Sequence, residues 1–83
     1  MATSDIWVHE HGKRGVCVDT VHGTRKDAKQ AAKDAARVWY PHASTAWNGE
    51  TALLVKREDG SVQATIAIEI PEVREVRERK ART

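Results

Sequence analysis

The sequence predicts an α+β fold of ββαββ order. An antiparallel sheet carries one amphipathic, alanine-rich helix packed on one face, followed by a short C-terminal helix or tail. Three observations lead there. Two short alternating segments flank a glycine-bearing turn near the start, at "DIWVHE" and "VCVD". Residues 24–40 then place alanines at helical spacing behind an N-cap signal. Finally, "TALLVKR" and "VQATIAIEI" flank "EDGS", two strands around a turn.

In the first segment Ile6 and Val8 share one face, and Trp7 and His9 the other. The turn "HGKRG" has two glycines able to take positive φ. Val16 and Val18 match Ile6 and Val8 across the expected hairpin. In the helix Thr24 is the N-cap, with Asp27 near the positive end of the helix dipole. Ala28, Ala31, Ala32, Ala35, Val38 and Trp39 follow the helical period and form one apolar stripe. Small alanines allow close approach to a sheet, and Trp39 is expected to fill the far end of the core. Pro41 stops the helix. In the last strand Val62, Ala64, Ile66, Ile68 and Ile70 alternate with Gln63, Thr65, Ala67 and Glu69. That strand would be about 30 Å long at roughly 3.3 Å per residue, ending at Pro71.

The stretch "WYPHASTAWNGE" between helix and third strand fits no regular element. Trp39 and Tyr40 close the helix, with Tyr40 half-buried and its hydroxyl free to reach water or a partner. Trp47 precedes the turn dipeptide Asn48-Gly49. It either tucks over a small core in need of large side chains or stands out as a binding anchor.

Eighty-three residues, 40% hydrophobic and 31% charged, bound the chain to one folded domain with a modest core. We expect residues 1–71 to form that domain and 72–83 a charged helix or tail. The single Cys17 allows no internal disulfide and, with no apolar leader or membrane span in view, points to the cytoplasm. The net charge of +2 is unevenly distributed. Residues 24–40 hold five basic and two acidic side chains, and residues 72–83 five basic and three acidic.

Arg25, Lys26, Lys29, Lys33 and Arg37 are therefore the candidate nucleic-acid contacts, a row able to follow a phosphate backbone. The competing reading is a solvated helix surface. Against the helix-covered face, the other sheet face presents Trp7, Cys17, Leu54 and Ala67, apolar enough to need the tail or a second subunit over it. That makes Trp47, Tyr40, Trp7 and Leu54 the candidate protein-partner contacts of an alternative class, an interaction module such as a phage-type inhibitor or adaptor, with a homodimer expected.

Other chemistries find little support. His9 and His11 would share a face on a strand, but His11 falls in the turn and no spacing among them, His22 and His42 dictates a full metal shell, so no metal or cofactor is expected. Cys17, Asp19 and His22 lack oxyanion donors, and no phosphate loop or nucleophile elbow occurs, so no catalytic residue is assigned and the chain is not expected to be an enzyme.

Trp7, Gly12 to Gly15, Thr24 and Ala28 loosely resemble the strand-turn-strand-helix of arm-type DNA-binding domains of phage integrases. The resemblance covers about the first half of the chain. It implies DNA binding, but that family has a third strand before its helix, whereas here the further strands follow it.

Overall fold

The computed structural model describes residues 2–70, so expectations for the 72–83 tail and for Pro71 lie outside the described residues. Six elements follow in order: β1 (Ala2–Glu10), β2 (Val16–Gly23), α1 (Arg25–Trp39), β3 (Ser44–Asn48), β4 (Ala52–Lys56) and β5 (Val62–Glu69). The class is α+β. The five strands form one antiparallel sheet in the order β2-β1-β5-β4-β3. The strands on either side of the helix in sequence, β2 and β3, form the two edges, and β5 returns to the middle, joining β1 to β4.

The sheet therefore has one strand more than the expected ββαββ order. The additional one is β3, from the stretch read as irregular. It is short and an edge, bonded to β4 alone. Ser44, Thr45, Ala46 and Asn48 give it almost no apolar alternation, so Trp47 is its one large apolar side chain. Trp47 pairs with Leu53, a core residue on the helix-covered face. Trp47 thus lies in a strand, half-buried against the core, rather than in a loop. The β3–β4 turn uses Gly49 at φ 75°, a conformation that favours glycine.

The core lies between α1 and the sheet. Ile6, Val8, Leu53, Val55, Ala64, Ile66 and Ile68 come from the strands, and Ala28, Ala32 and Ala36 from the helix. Because the helix contributes only methyl groups at its closest positions, its backbone approaches the sheet and the large side chains are all strand-borne. Ala31 and Ala35 pack at the margin, as the stripe predicts.

The stripe fails at its end. Val38 is 78% exposed and Trp39 51% exposed, so neither closes the core. The chain leaves helical geometry at Tyr40 (φ −139°, ψ 66°), and this swings the tyrosine inward, where its ring packs against the core cluster. The space assigned to Trp39 is filled by the residue after it.

The β1–β2 register also departs from simple alternation. A bulge between Ile6 and Trp7 pairs Ile6 with Asp19 and Trp7 with Cys17, while Val8 faces Val16. The extra residue lets Val18 reach the core, while Val16, opposite the buried Val8 at the start of this edge strand, is 53% exposed. Just before β2, a Cβ on Gly15 would stand 2.3 Å from the exposed His9 ring, so a side chain there would displace that ring.

Candidate nucleic-acid interface

The helix that carries the basic residues is fixed at its start by a reciprocal cap. The Asp27 amide donates to the Thr24 hydroxyl at 3.3 Å, and the Asp27 carboxylate accepts from the Thr24 amide at 3.0 Å. The Thr24 hydroxyl also donates to this carboxylate, at 3.1 Å. These bonds hold the Asp27 carboxyl below the ordinary aspartate range. Gly23 makes room for it, since a Cβ there would lie 2.5 Å from Asp27 Oδ2.

From this start the helical period sorts the charges. Lys26, Lys29, Lys33 and Arg37 fall within about 80° of one another around the axis, whereas Asp27 and Asp34 lie on a different flank. The four cations span about 16 Å of axis at 1.5 Å per residue. They are not equivalent. Lys29 leans over the edge strand, its Nζ 5.1 Å from the Trp47 ring centroid, and is half-buried. Arg37 approaches Asp34 at 4.0 Å, while Asp34 accepts a bond from Gln30 at 3.1 Å. Lys26 and Lys33 are exposed, and Lys33 has no ion-pair partner among the described residues. Arg25 stands apart from the row, paired with Glu50 of the β3–β4 turn. Sequence reasoning grouped Arg25 with the other cations because its partner lies 25 positions away. Next to Lys33 and Arg37, a cleft of about 200 Å³ opens between the helix and β3, lined also by Tyr40, Pro41 and Thr45.

The candidate partner contacts separate in space. Trp47 lies beneath Lys29 on the helix side of the sheet. Tyr40 is half-buried there too, and its hydroxyl donates to Glu10 Oε1 at 2.6 Å. Burial, reinforced by this carboxylate, pushes the phenol pKa up to about 12. Glu10 in turn holds Lys13 at 3.1 Å, and the two contacts, that with Tyr40 foremost, keep its carboxyl below the ordinary range. Trp7 and Leu54 belong to the opposite sheet face, which no described element covers. There Trp7 stacks with His9 at 6.2 Å between centroids, and its buried Nε1 has no hydrogen-bond partner among the described residues. The four aromatic and aliphatic residues therefore do not form one surface. Trp39 and Val38, at the helix end, are the large apolar side chains left outward on the helix.

The polar groups of the remaining chemistries are dispersed. His22 bonds the Thr3 hydroxyl at 3.1 Å, and the exposed Cys17 thiol donates to the Asp19 carbonyl at 3.5 Å. No group of three metal-ligating side chains occurs among the described residues. No described helix is long and apolar enough to cross a membrane. No protein-family model, curated protein or solved structure matches the chain.

Proposed function

We propose that the chain is a small non-enzymatic binding module that contacts the phosphate backbone of nucleic acid through the basic flank of α1. The observation that carries this reading is the row Lys26, Lys29, Lys33 and Arg37 along one flank, with Asp34 approaching it only at Arg37. Sixteen ångströms of axis corresponds to about five phosphates of one strand at roughly 3.4 Å each. Flexible lysines at such spacing neutralise phosphates without reading base edges, so binding is expected to be indifferent to sequence. The adjoining polar cleft beside Lys33 and Arg37 offers the backbone a shallow seat.

The test is a titration of labelled duplex DNA and single-stranded RNA at a series of salt concentrations. Four phosphate contacts on duplex DNA give a log–log salt slope of about −3.6. Lys33→Glu weakens binding uniformly across sequences and flattens the slope by about 1. Absence of binding at low salt to both polymers overturns the reading.

A second reading, a protein-interaction module, is favoured by the exposed Val38–Trp39 pair. Its anchor is Trp39 in place of Trp47 and Tyr40, with the uncovered face around Trp7 and Leu54 as a further contact or a homodimer surface. This reading predicts a partner retained by the immobilised protein, lost on Trp39→Ala and insensitive to salt. Light scattering over a range of concentrations tests the homodimer separately.

A further inference from the structure

At the N-terminal end of α1 the helix, the sheet and the β3–β4 turn do not meet tightly. They leave a half-open cavity of about 350 Å³, in the lower part of the range of small-molecule sites. Its walls are mainly apolar: Ala28 of the helix, and Ile68 and Ile70 at the end of the central strand. A cavity of roughly 150 Å³ with such walls already accommodates benzene. Polar side chains interrupt these walls: Ser4, Thr24 and Thr51, with Arg25 and Glu50. Ser4 of β1 is the least exposed of these, at 5%, and its hydroxyl makes no hydrogen bond among the described residues.

We propose that this cavity binds a small, uncharged, mainly apolar molecule carrying one hydroxyl or carbonyl group, which pairs with Ser4. The Ser4 oxygen is not sealed off, so a ligand hydroxyl or carbonyl can exchange with the water it would otherwise hold. Charge on the ligand is disfavoured from both signs. The helix N-terminus would attract an anion, but the Asp27 carboxylate already occupies that end as a cap. Arg25 and Glu50, which also line the cavity, neutralise one another, and their exposed charged ends place this pair at its solvent side. What remains for recognition is apolar volume and one hydrogen bond. The site lies at the opposite end of the helix from Arg37 and does not depend on the polyanion reading.

The experiment uses the full chain, labelled with nitrogen-15, and two probes of nearly the same shape, p-cresol and p-xylene. Both are expected to give saturable amide shifts confined to Ser4, Gly23, Ala28, Thr51 and Ile68. Ser4→Ala should weaken p-cresol about 5-fold, the loss of one ordinary hydrogen bond, and leave p-xylene unchanged. Ala28→Leu and Ser4→Val fill the cavity from opposite walls, and whichever remains folded by its melting curve should bind neither probe. The proposal is overturned if neither probe gives saturable shifts at its solubility limit, or if the shifts scatter over the surface. It also fails if a folded, filled variant binds as well as the parent, or if Ser4→Ala affects both probes alike.

Discussion

The Lys29 ammonium stands 5.1 Å above the Trp47 ring, joining α1 to the edge strand β3. The contact gives Lys29 a structural task that Lys33, one turn further along the same flank, does not share. Cation–π pairs at such part-exposed sites contribute about 0.5–1 kcal/mol. A double-mutant cycle of Lys29→Ala and Trp47→Ala, read by urea unfolding, should return a coupling of that size. Lys29→Glu should lower both stability and nucleic-acid affinity, whereas Lys33→Glu should lower affinity alone. Equal stability loss in the two charge reversals would contradict the assignment.

The Tyr40–Glu10 bond gives the protein an alkaline limit. Tyr40 titrates near 12 in the folded chain, against about 10 when unfolded. Because the folded value is raised, its contribution to stability is complete below pH 10 and is lost as pH rises from 10 to 12. Tyr40 is the only tyrosine, so phenolate absorbance reports it alone. Glu10→Gln should move the titration midpoint down toward 10 while leaving the part due to burial in place. An unchanged midpoint would remove Glu10 as a cause.

The cap at Thr24 should be sensitive at both of its partners. Thr24→Ala is expected to cost about 1 kcal/mol of unfolding free energy. Gly23→Ala should be destabilising as well, because its methyl would displace the Asp27 carboxylate that closes the box. The Asp27 carboxyl is held below its unfolded value, so its stabilisation is present above the ordinary aspartate range and lost as pH falls through it. The parent should therefore lose stability more steeply with falling pH than Asp27→Asn, which lacks the titrating carboxyl but can still accept from the Thr24 amide. Parallel limbs in the two proteins would argue against the carboxylate bonds.

Local signals account for most of what was legible. Thr24 and Asp27 announced the helix start through spacing alone, and Ala28, Ala31, Ala32 and Ala35 announced its buried face. The alternation of Val62 to Ile68 gave the central strand. β3 escaped because an edge strand needs only one anchored side chain, and "STAWN" supplies a single one, Trp47. The basic row was readable as a row, but Arg25's pairing with Glu50 and Lys29's with Trp47 are tertiary facts, set by how the sheet brings the β3–β4 hairpin under the helix. The Ser4 cavity was invisible for the same reason, since a small polar residue in a strand carries no sign of the space beside it. The bulge after Ile6 brings Val18 to the core by a rule that alternation does not contain.

The helix end offers the sharpest contrast between periodicity and packing. By period, Trp39 shares the face of Ala28 and Ala32, and its truncation should remove the largest side chain of a small core. By structure it is half in solvent while Tyr40 packs inward. Core aromatic truncations cost about 3–5 kcal/mol, and surface changes away from such features stay within about 0.5 kcal/mol. Trp39→Ala should therefore cost under about 1 kcal/mol and Tyr40→Ala distinctly more, both measured by urea unfolding. The reverse order would place Trp39 in the core and remove the anchor on which the protein-interaction reading stands. The expected order leaves Trp39 free for mutation, so that a partner lost on Trp39→Ala could be ascribed to the surface and not to unfolding.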